Sequence, residues 1–178
     1  MQASSGLVPD NPIPDCECWY RLLTNRDHVT RDKTVHYQAL KRGAFQLPEQ
    51  DRPWARELSG RLSSLVADIC AEAEVEVERI RRLFVERGQK VPSKICFAGV
   101  ACSAGYELRT TIEVVRTDVV YSPSSTDDAH SDVITYQTVS DEDLDPVRNW
   151  LMKTLRVVKP QDIDVQISSC GRPLSSAG

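Results

Sequence analysis

The sequence lacks any long hydrophobic run. No stretch of about 18 consecutive apolar residues occurs, so no transmembrane helix is predicted. The first 15 residues also lack the charged segment and the following apolar segment that a signal peptide requires. From these two absences we expect a cytoplasmic protein that makes no contact with a membrane.

The sequence also lacks an excess of positive charge. It contains 22 Lys and Arg residues against 26 Asp and Glu residues, which gives a formal net charge of −4. A nucleic-acid-binding protein normally carries a basic patch or stripe. In this chain the basic residues lie among acidic ones, as in residues 74–82, and this mixture is typical of a solvated helix face. We therefore expect no nucleic-acid partner.

Sequence motifs for cofactors, metals and common catalytic sites are missing as well. The chain has no P-loop, no GxGxxG, no HExxH and no GxSxG pattern. Its six cysteines include no CxxC pair, and Cys16 and Cys18 lack the spacing of a zinc site. Residues 127–132 hold three aspartates and a histidine but lack the glycine and the final glutamate of a calcium loop. We expect reduced thiols, no metal and no cofactor.

The length and composition predict one domain with irregular ends. At 178 residues the chain is long enough to bury a hydrophobic core without disulfides. Residues 1–15 are rich in proline, serine and glycine, and residues 168–178 are similar. We therefore predict a flexible N-terminal lead-in over 1–15, a single domain over 16–167 and a flexible tail over 168–178.

The clearest periodic pattern predicts a long helix over about 61–88, preceded by a short helix that begins near Pro53. Apolar residues recur at intervals of three or four, which places them on one helix face. Gly88 suits a left-handed C-terminal cap. The residues on this face are Leu62, Val66, Ile69, Ala73, Val77, Ile80 and Phe84.

The C-terminal half reads mainly as strands followed by a second helix. Strands are predicted over 95–102, 110–121 and 133–139, with the last two antiparallel and with a bulge or sharp twist near Val114–Val115, where the alternation changes phase. Asp145-Pro146 favours a helix start, and Ile163, Val165 and Ile167 alternate as in an edge strand. We expect an α+β domain, a largely antiparallel sheet of three to five strands packed on one long helix and a shorter C-terminal helix.

One set of residues has the composition of a thiol hydrolase site. Cys102 follows a predicted strand, and His130 and Asp132 follow later in the chain. A cysteine nucleophile needs a histidine to activate it and a polar group to orient that histidine. The small residues after Cys102 would leave backbone N–H groups accessible as an oxyanion hole. A buried structural cysteine and a surface histidine explain the same residues without catalysis.

Short segments spread over residues 19–136 resemble small bacterial proteins that carry domains of unknown function. The resemblance implies no activity, and it suggests an accessory protein of a bacterial multi-protein system. The segments are Trp19-Tyr20-Arg21, Ala44-Phe45, Leu58-Ser59, Gly99-Val100-Ala101, Ala104-Gly105 and Ala129-His130 before Val133.

Because no assembled site is visible in the sequence, the first hypothesis is a non-catalytic module that binds another protein. Trp19, Tyr20 and Trp54 are the candidate binding residues, since aromatic side chains dominate interaction hot spots; packing in the core is the alternative for each of them. Two other hypotheses stay open. One is a small thiol hydrolase that uses Cys102 and His130, and the other is a sensor of a small ligand or nucleotide, bound between a sheet and a helix.

Overall fold

The computed structural model describes residues 7–41, 43–46, 52, 54–137 and 139–163. These residues form an eight-stranded antiparallel sheet, curved into a half-barrel, with the strand order β5-β6-β7-β3-β1-β4-β8 and with β2 paired to β3. The strands are β1 Cys18–Asn25, β2 Phe45–Gln46, β3 Glu57–Leu62, β4 Ile95–Ala104, β5 Thr110–Ile112, β6 Val115–Tyr121, β7 His130–Thr135 and β8 Arg156–Val158.

Three α-helices accompany the sheet in the part of the chain that is described. They are α1 Ile69–Glu86, α2 Gly105–Leu108 and α3 Asp145–Thr154. Short 3-10 helices form at Arg26–His28, Tyr37–Leu40, Ser63–Leu65 and Pro160–Asp162.

The two faces of the sheet bury different sets of residues, because side chains alternate along a strand. On β1, Trp19 and Leu23 point into the main core, where they meet Leu58, Leu62, Val119, Val133 and Leu151. Cys18 and Tyr20 point to the opposite face, where Val100, Cys102 and Ile163 join them in a smaller cluster. Helix α1 lies over this second face and packs on β1 and β4.

The predicted fold class is wrong, because the sheet has eight strands and does not rest on one long helix. Helix α1 has 18 residues, and only Ala73 and Val77 in it are buried. The sheet is therefore the main structural layer. Residues 57–62, which the helical pattern assigned largely to helix, instead form β3 near the middle of the sheet.

Helix α1 begins eight residues later than the apolar periodicity predicted. The side chain of Asp68 accepts a hydrogen bond of 3.0 Å from the Ala71 amide and caps the helix at Ile69. Leu62 is the last residue of β3, and Val66 follows a 3-10 turn. The predicted C-terminal cap is confirmed, since Gly88 follows the helix with φ +66°.

The predicted strand over 110–121 is two strands joined by a tight turn. Strands β5 and β6 form a hairpin in which Ile112 pairs with Val115. Glu113 in the turn has φ +54°, and Val114 is 80% exposed. The change of phase in the alternation marks this turn and not a bulge. Paired residues of a hairpin face the same side of the sheet, and the pair Ile112 and Val115 is three positions apart, so the alternation shifts by one residue at the turn.

Other predicted elements match the structure fully or in part. Strand β4 covers the predicted 95–102, and β7 pairs antiparallel with β6 as predicted. The bounds predicted for that last strand, 133–139, are wrong, because β7 spans His130–Thr135. Helix α3 begins at Asp145-Pro146. Its predicted apolar face is buried, and consists of Leu144, Val147, Leu151 and Leu155. Ile163 follows a 3-10 turn, whereas Val165 and Ile167 of the predicted last strand lie outside the described residues.

Candidate functional site

The candidate site is a cleft that forms where two neighbouring strands diverge. Strands β1 and β3 pair only at Trp19 with Leu62 and at Tyr20 with Arg61. Beyond this point β3 continues its pairing on that side with the short strand β2, through Phe45 with Leu58. A gap therefore opens between β1 and β3 beside helix α1.

The gap forms a cleft of about 360 Å³, which is within the size range of small-molecule sites. Its walls combine two apolar side chains, Leu22 of β1 and Ile80 of α1, with a ring of charged and polar ones. The ionisable side chains that line it are Tyr20, Arg21, His28, Arg61, Glu76 and His130. A site with one apolar wall and several charged groups suits a small polar molecule that carries a short apolar part.

Arg21 occupies the gap between the diverging strands. Its Nη1 donates to the Ser59 carbonyl of β3, which is the only hydrogen bond that its guanidinium makes within the described residues. Burial lowers the pKa of Arg21, and the negative charges of Glu76 and Asp132 only partly offset that effect. A guanidinium has five N–H donors, so most of those on Arg21 stay available to a molecule in the cleft.

Arg61 is held much more completely than Arg21. Its Nη1 lies 2.7 Å from Glu72 Oε2, and its Nε lies 2.8 Å from Asp127 Oδ2. Burial opposes the charged form, but these two carboxylates raise the pKa of Arg61 above its ordinary value. The Tyr20 hydroxyl donates to the same Glu72 at 2.7 Å, and burial and this hydrogen bond raise the pKa of Tyr20. The charge of Arg61 is therefore neutralised inside the protein.

Two further groups set the charge balance around Arg21. Glu76 of α1 is engaged by Arg79, whose Nε and Nη2 each donate to it at 2.6 Å. Burial and the positive charge of Arg21 lower the pKa of His28, which favours its neutral form. Arg21 is thus the cation of the cleft that no carboxylate contacts directly in the described residues.

The structure brings the predicted residues His130 and Asp132 together. His130 Nε2 lies 3.7 Å from Asp132 Oδ1, and Asp132 is 1% exposed. His130 Nδ1 lies 2.8 Å from the Ser122 carbonyl, which can only accept, so Nδ1 carries the proton. Arg52 Nη2 lies 3.3 Å from the other oxygen of Asp132, whereas Oδ1 has no hydrogen-bond partner among the described residues.

The structure does not bring Cys102 to this pair. His130, Arg61, Tyr20 and Cys102 are consecutive partners across β7, β3, β1 and β4. Cys102 therefore lies three strand spacings from His130, or about 14 Å along the sheet. Cys102 is 1% exposed and its neighbour is the buried Cys18. The Cys18 thiol hydrogen bond lowers the pKa of Cys102, and the same hydrogen bond, with burial, raises the pKa of Cys18.

The three predicted aromatic anchors have different positions. Trp19 and Tyr20 are fully buried, and Trp19 donates from Nε1 to the Ser131 carbonyl at 3.4 Å. Trp54 is 43% exposed and stacks on Tyr136 with ring centroids 5.8 Å apart. Tyr20 lines the cleft with its polar end bound to Glu72, so it belongs to the candidate site as a wall residue.

Comparisons with protein-family models, curated proteins and solved structures find no match for this chain. Within the described residues, no helix has the length and apolar character needed to cross a membrane. The same residues contain no cluster of three or more His, Cys, Asp and Glu side chains that could hold a metal ion. The geometry of the cleft is accordingly the main basis for a functional proposal.

Sequence reasoning missed Arg21, His28 and Glu76 as site residues. Arg21 lies on β1, His28 on the 3-10 helix that directly follows β1, and Glu76 on α1 much later in the chain, and no local motif links the three. One signal was present, because Arg21 interrupts the apolar run from Trp19 to Leu23. A charged residue inside a buried strand must be satisfied by a partner or by a ligand.

Proposed function

We propose that this protein is a non-catalytic binding module whose cleft takes a small organic anion, a carboxylate or a phosphate with a short apolar part. The observation that supports it most strongly is Arg21, a half-buried arginine that lines the cleft and whose guanidinium makes a single hydrogen bond within the described residues, to a backbone carbonyl. Guanidinium groups bind carboxylates and phosphates through two parallel hydrogen bonds. An anion in the cleft would supply the counter-charge that the described residues do not place against Arg21.

The rest of the cleft fits the same ligand class. Leu22 and Ile80 would contact the apolar part of the molecule, and the polar side chains of Thr24, Gln46 and Ser59 would hydrogen-bond its remaining groups. Arg61 is already paired with Glu72 and Asp127, so it would shape the wall without carrying the recognition. Cys102, the thiol of the hydrolase hypothesis, is not among the residues that line the cleft.

The test is a thermal-shift and calorimetry screen of the purified protein. The panel contains short aliphatic carboxylates and monophosphates, each beside its uncharged amide or alcohol. An anion at 100 times its Kd should raise the free energy of unfolding by about 2.7 kcal/mol. For a chain of this size that corresponds to a Tm increase of roughly 5–11 °C. The neutral analogues should produce no shift.

Two variants of Arg21 and one control connect the binding to the cleft. Arg21→Gln should weaken anion binding by about 100-fold, since it removes the charge-assisted hydrogen bonds to the anion. Arg21→Lys keeps the positive charge but loses the pair of parallel N–H donors of the guanidinium, and it should weaken anion binding by about tenfold. Arg82→Gln makes the same charge change at an exposed site on α1 and should bind as the wild type does. Equal binding by all four proteins, or no anion that binds, would contradict the proposal.

A further inference from the structure

A second surface, which shares no lining residue with the cleft, lies at the outer edge of β8. It is a groove of about 670 Å³ between residues 30–37 and the segment that joins α3 to β8. Strand β8 is the last strand on its side of the sheet, where it pairs with β4. On its outer side the described residues supply only an isolated bridge between Thr34 and Arg156. The groove therefore follows a sheet edge that has little main-chain pairing.

The groove has an apolar floor and a basic rim. Val35 and Leu155 are buried beneath it, with 1% and 3% exposure. The rim carries Lys33, His36, Lys153 and Arg156, of which Arg156 is ion-paired with Glu107 at 2.8 Å, and no Asp or Glu side chain lines the groove. This is unusual in a chain whose acidic residues outnumber its basic ones by four. The groove is thus positive in charge on a protein that is negative overall.

The two lysines of the rim are unpaired as far as the described part of the chain shows. Neither Lys33 nor Lys153 makes an ion pair or side-chain hydrogen bond within the described residues, and both are exposed. Lys33 also holds a backbone φ of +56°, which a non-glycine residue rarely adopts. The Thr30 and Thr34 hydroxyl groups bond to each other at 2.8 Å across the turn that contains it. This turn fixes where the Lys33 backbone lies beside the groove.

We infer that this groove binds an extended, acidic segment of a partner protein that alternates acidic and apolar residues. A sheet edge with few main-chain pairs, such as β8 beyond its bridge to Thr34, is a template for a strand from another chain. In an added strand, alternate side chains would point to the apolar floor, and the others would carry the acidic groups. Long lysine side chains can cover apolar surface while their ammonium groups reach those acids. The binding of such a segment goes beyond the small-anion function of the cleft and depends on none of its residues.

The test uses fluorescein-labelled eight-residue peptides in which Glu alternates with Val, Ile, Phe or Tyr, measured by fluorescence anisotropy with the full chain. At least one should bind, and replacing its Glu residues with Lys should abolish binding. The double variant Lys33→Gln, Lys153→Gln should bind the peptide about tenfold or more weakly than the wild type does. The control Arg82→Gln, Lys90→Gln makes the same charge change at exposed positions away from the groove and should bind unchanged.

Two further measurements distinguish strand addition at the β8 edge from simple charge attraction. Methylation of alternate peptide amides should weaken binding, because main-chain pairing supplies part of the affinity. Short polyphosphate and a single-stranded oligonucleotide are tested in parallel. Three results would overturn the inference. They are binding of the polyanions while no peptide binds, equal peptide binding by the wild type and the lysine double variant, and unchanged binding when either the odd-numbered or the even-numbered peptide amides are methylated. None of these results would alter the anion screen of the cleft, so the two proposals fail separately.

Discussion

Substitution of Gly60 by alanine should strongly destabilise the protein, because Gly60 lies directly against the buried ring of Trp19. A Cβ atom at residue 60 would lie 2.3 Å, 2.4 Å and 2.5 Å from three atoms of that ring. The ring would have to move by about 1 Å to reach ordinary contact distance. Trp19 is fully buried, and its indole N–H is bound to the Ser131 carbonyl, so little free space exists for that movement.

The expected loss in the free energy of unfolding of Gly60→Ala is about 3 kcal/mol, the upper end of the usual cost of overpacking a core. For a chain of this length the Tm should fall by roughly 6–12 °C. Urea unfolding followed by far-ultraviolet circular dichroism is the suitable assay, because indole fluorescence would itself respond to a displaced Trp19. The matched control is Gly43→Ala, where a Cβ would meet nothing within 4 Å, and it should change stability by less than about 0.5 kcal/mol.

A double-mutant cycle then tests the cause. Trp19→Leu removes the ring and leaves space next to Gly60, so Gly60→Ala should cost at least about 1 kcal/mol less in that background than in the wild type. An equal cost in both backgrounds would show that the ring is not responsible. A wild-type melting curve for Gly60→Ala would refute the packing of Trp19 on β3.

The remaining predictions concern a histidine, two thiols and a buried arginine. The pKa of His28 is lower in the folded protein than in the unfolded chain. As the pH falls below about 6.5, the unfolded chain therefore binds a proton at His28 more readily than the folded protein does, and the free energy of unfolding measured in urea should fall. His28→Gln should reduce this pH dependence. Iodoacetamide should label the exposed Cys70 quickly and the buried Cys102 slowly until the protein unfolds, as read by peptide mass spectrometry; faster labelling of Cys102 would favour the hydrolase hypothesis. Arg148→Met should lower the free energy of unfolding by about 2–4 kcal/mol, since it removes the hydrogen bonds that the buried guanidinium donates to the Leu40 carbonyl at 2.7 Å and to the Asp141 carbonyl at 2.6 Å. A change below about 1 kcal/mol in the urea transition would contradict that role.

The elements that the sequence predicted well are those whose stabilising interactions are local. Helix α3 begins at Asp145-Pro146, and its apolar residues recur at helical spacing, so both its start and its buried face could be predicted. Strand β4 is a continuous run of small and apolar residues and was predicted for a similar reason. In both cases the pattern that determines the structure lies within about ten residues.

Strand β3 was misassigned because its burial depends on distant residues. Its sequence, Glu-Leu-Ser-Gly-Arg-Leu, has apolar residues at only two positions, four apart, which equally fit a helix. The charge of its Arg61 is satisfied by residues outside the sheet, Glu72 of α1 and Asp127 of the loop between β6 and β7. A periodicity of apolar residues cannot reveal a strand whose polar face is satisfied by ion pairs, since those partners come from elsewhere in the chain.

The same physical reason explains why the cleft was not visible in the sequence. Local patterns fail where a protein departs from the rule that buried strands are apolar, and such departures concentrate at functional sites. Arg21 is the clearest departure, because a guanidinium in a buried strand is unfavourable unless it gains strong partners. Arg61 gains two carboxylates, whereas the guanidinium of Arg21 has a single backbone acceptor within the described residues. The difference between these two arginines, which lie on neighbouring strands, is best explained if the missing partner of Arg21 is an anionic ligand that enters the cleft.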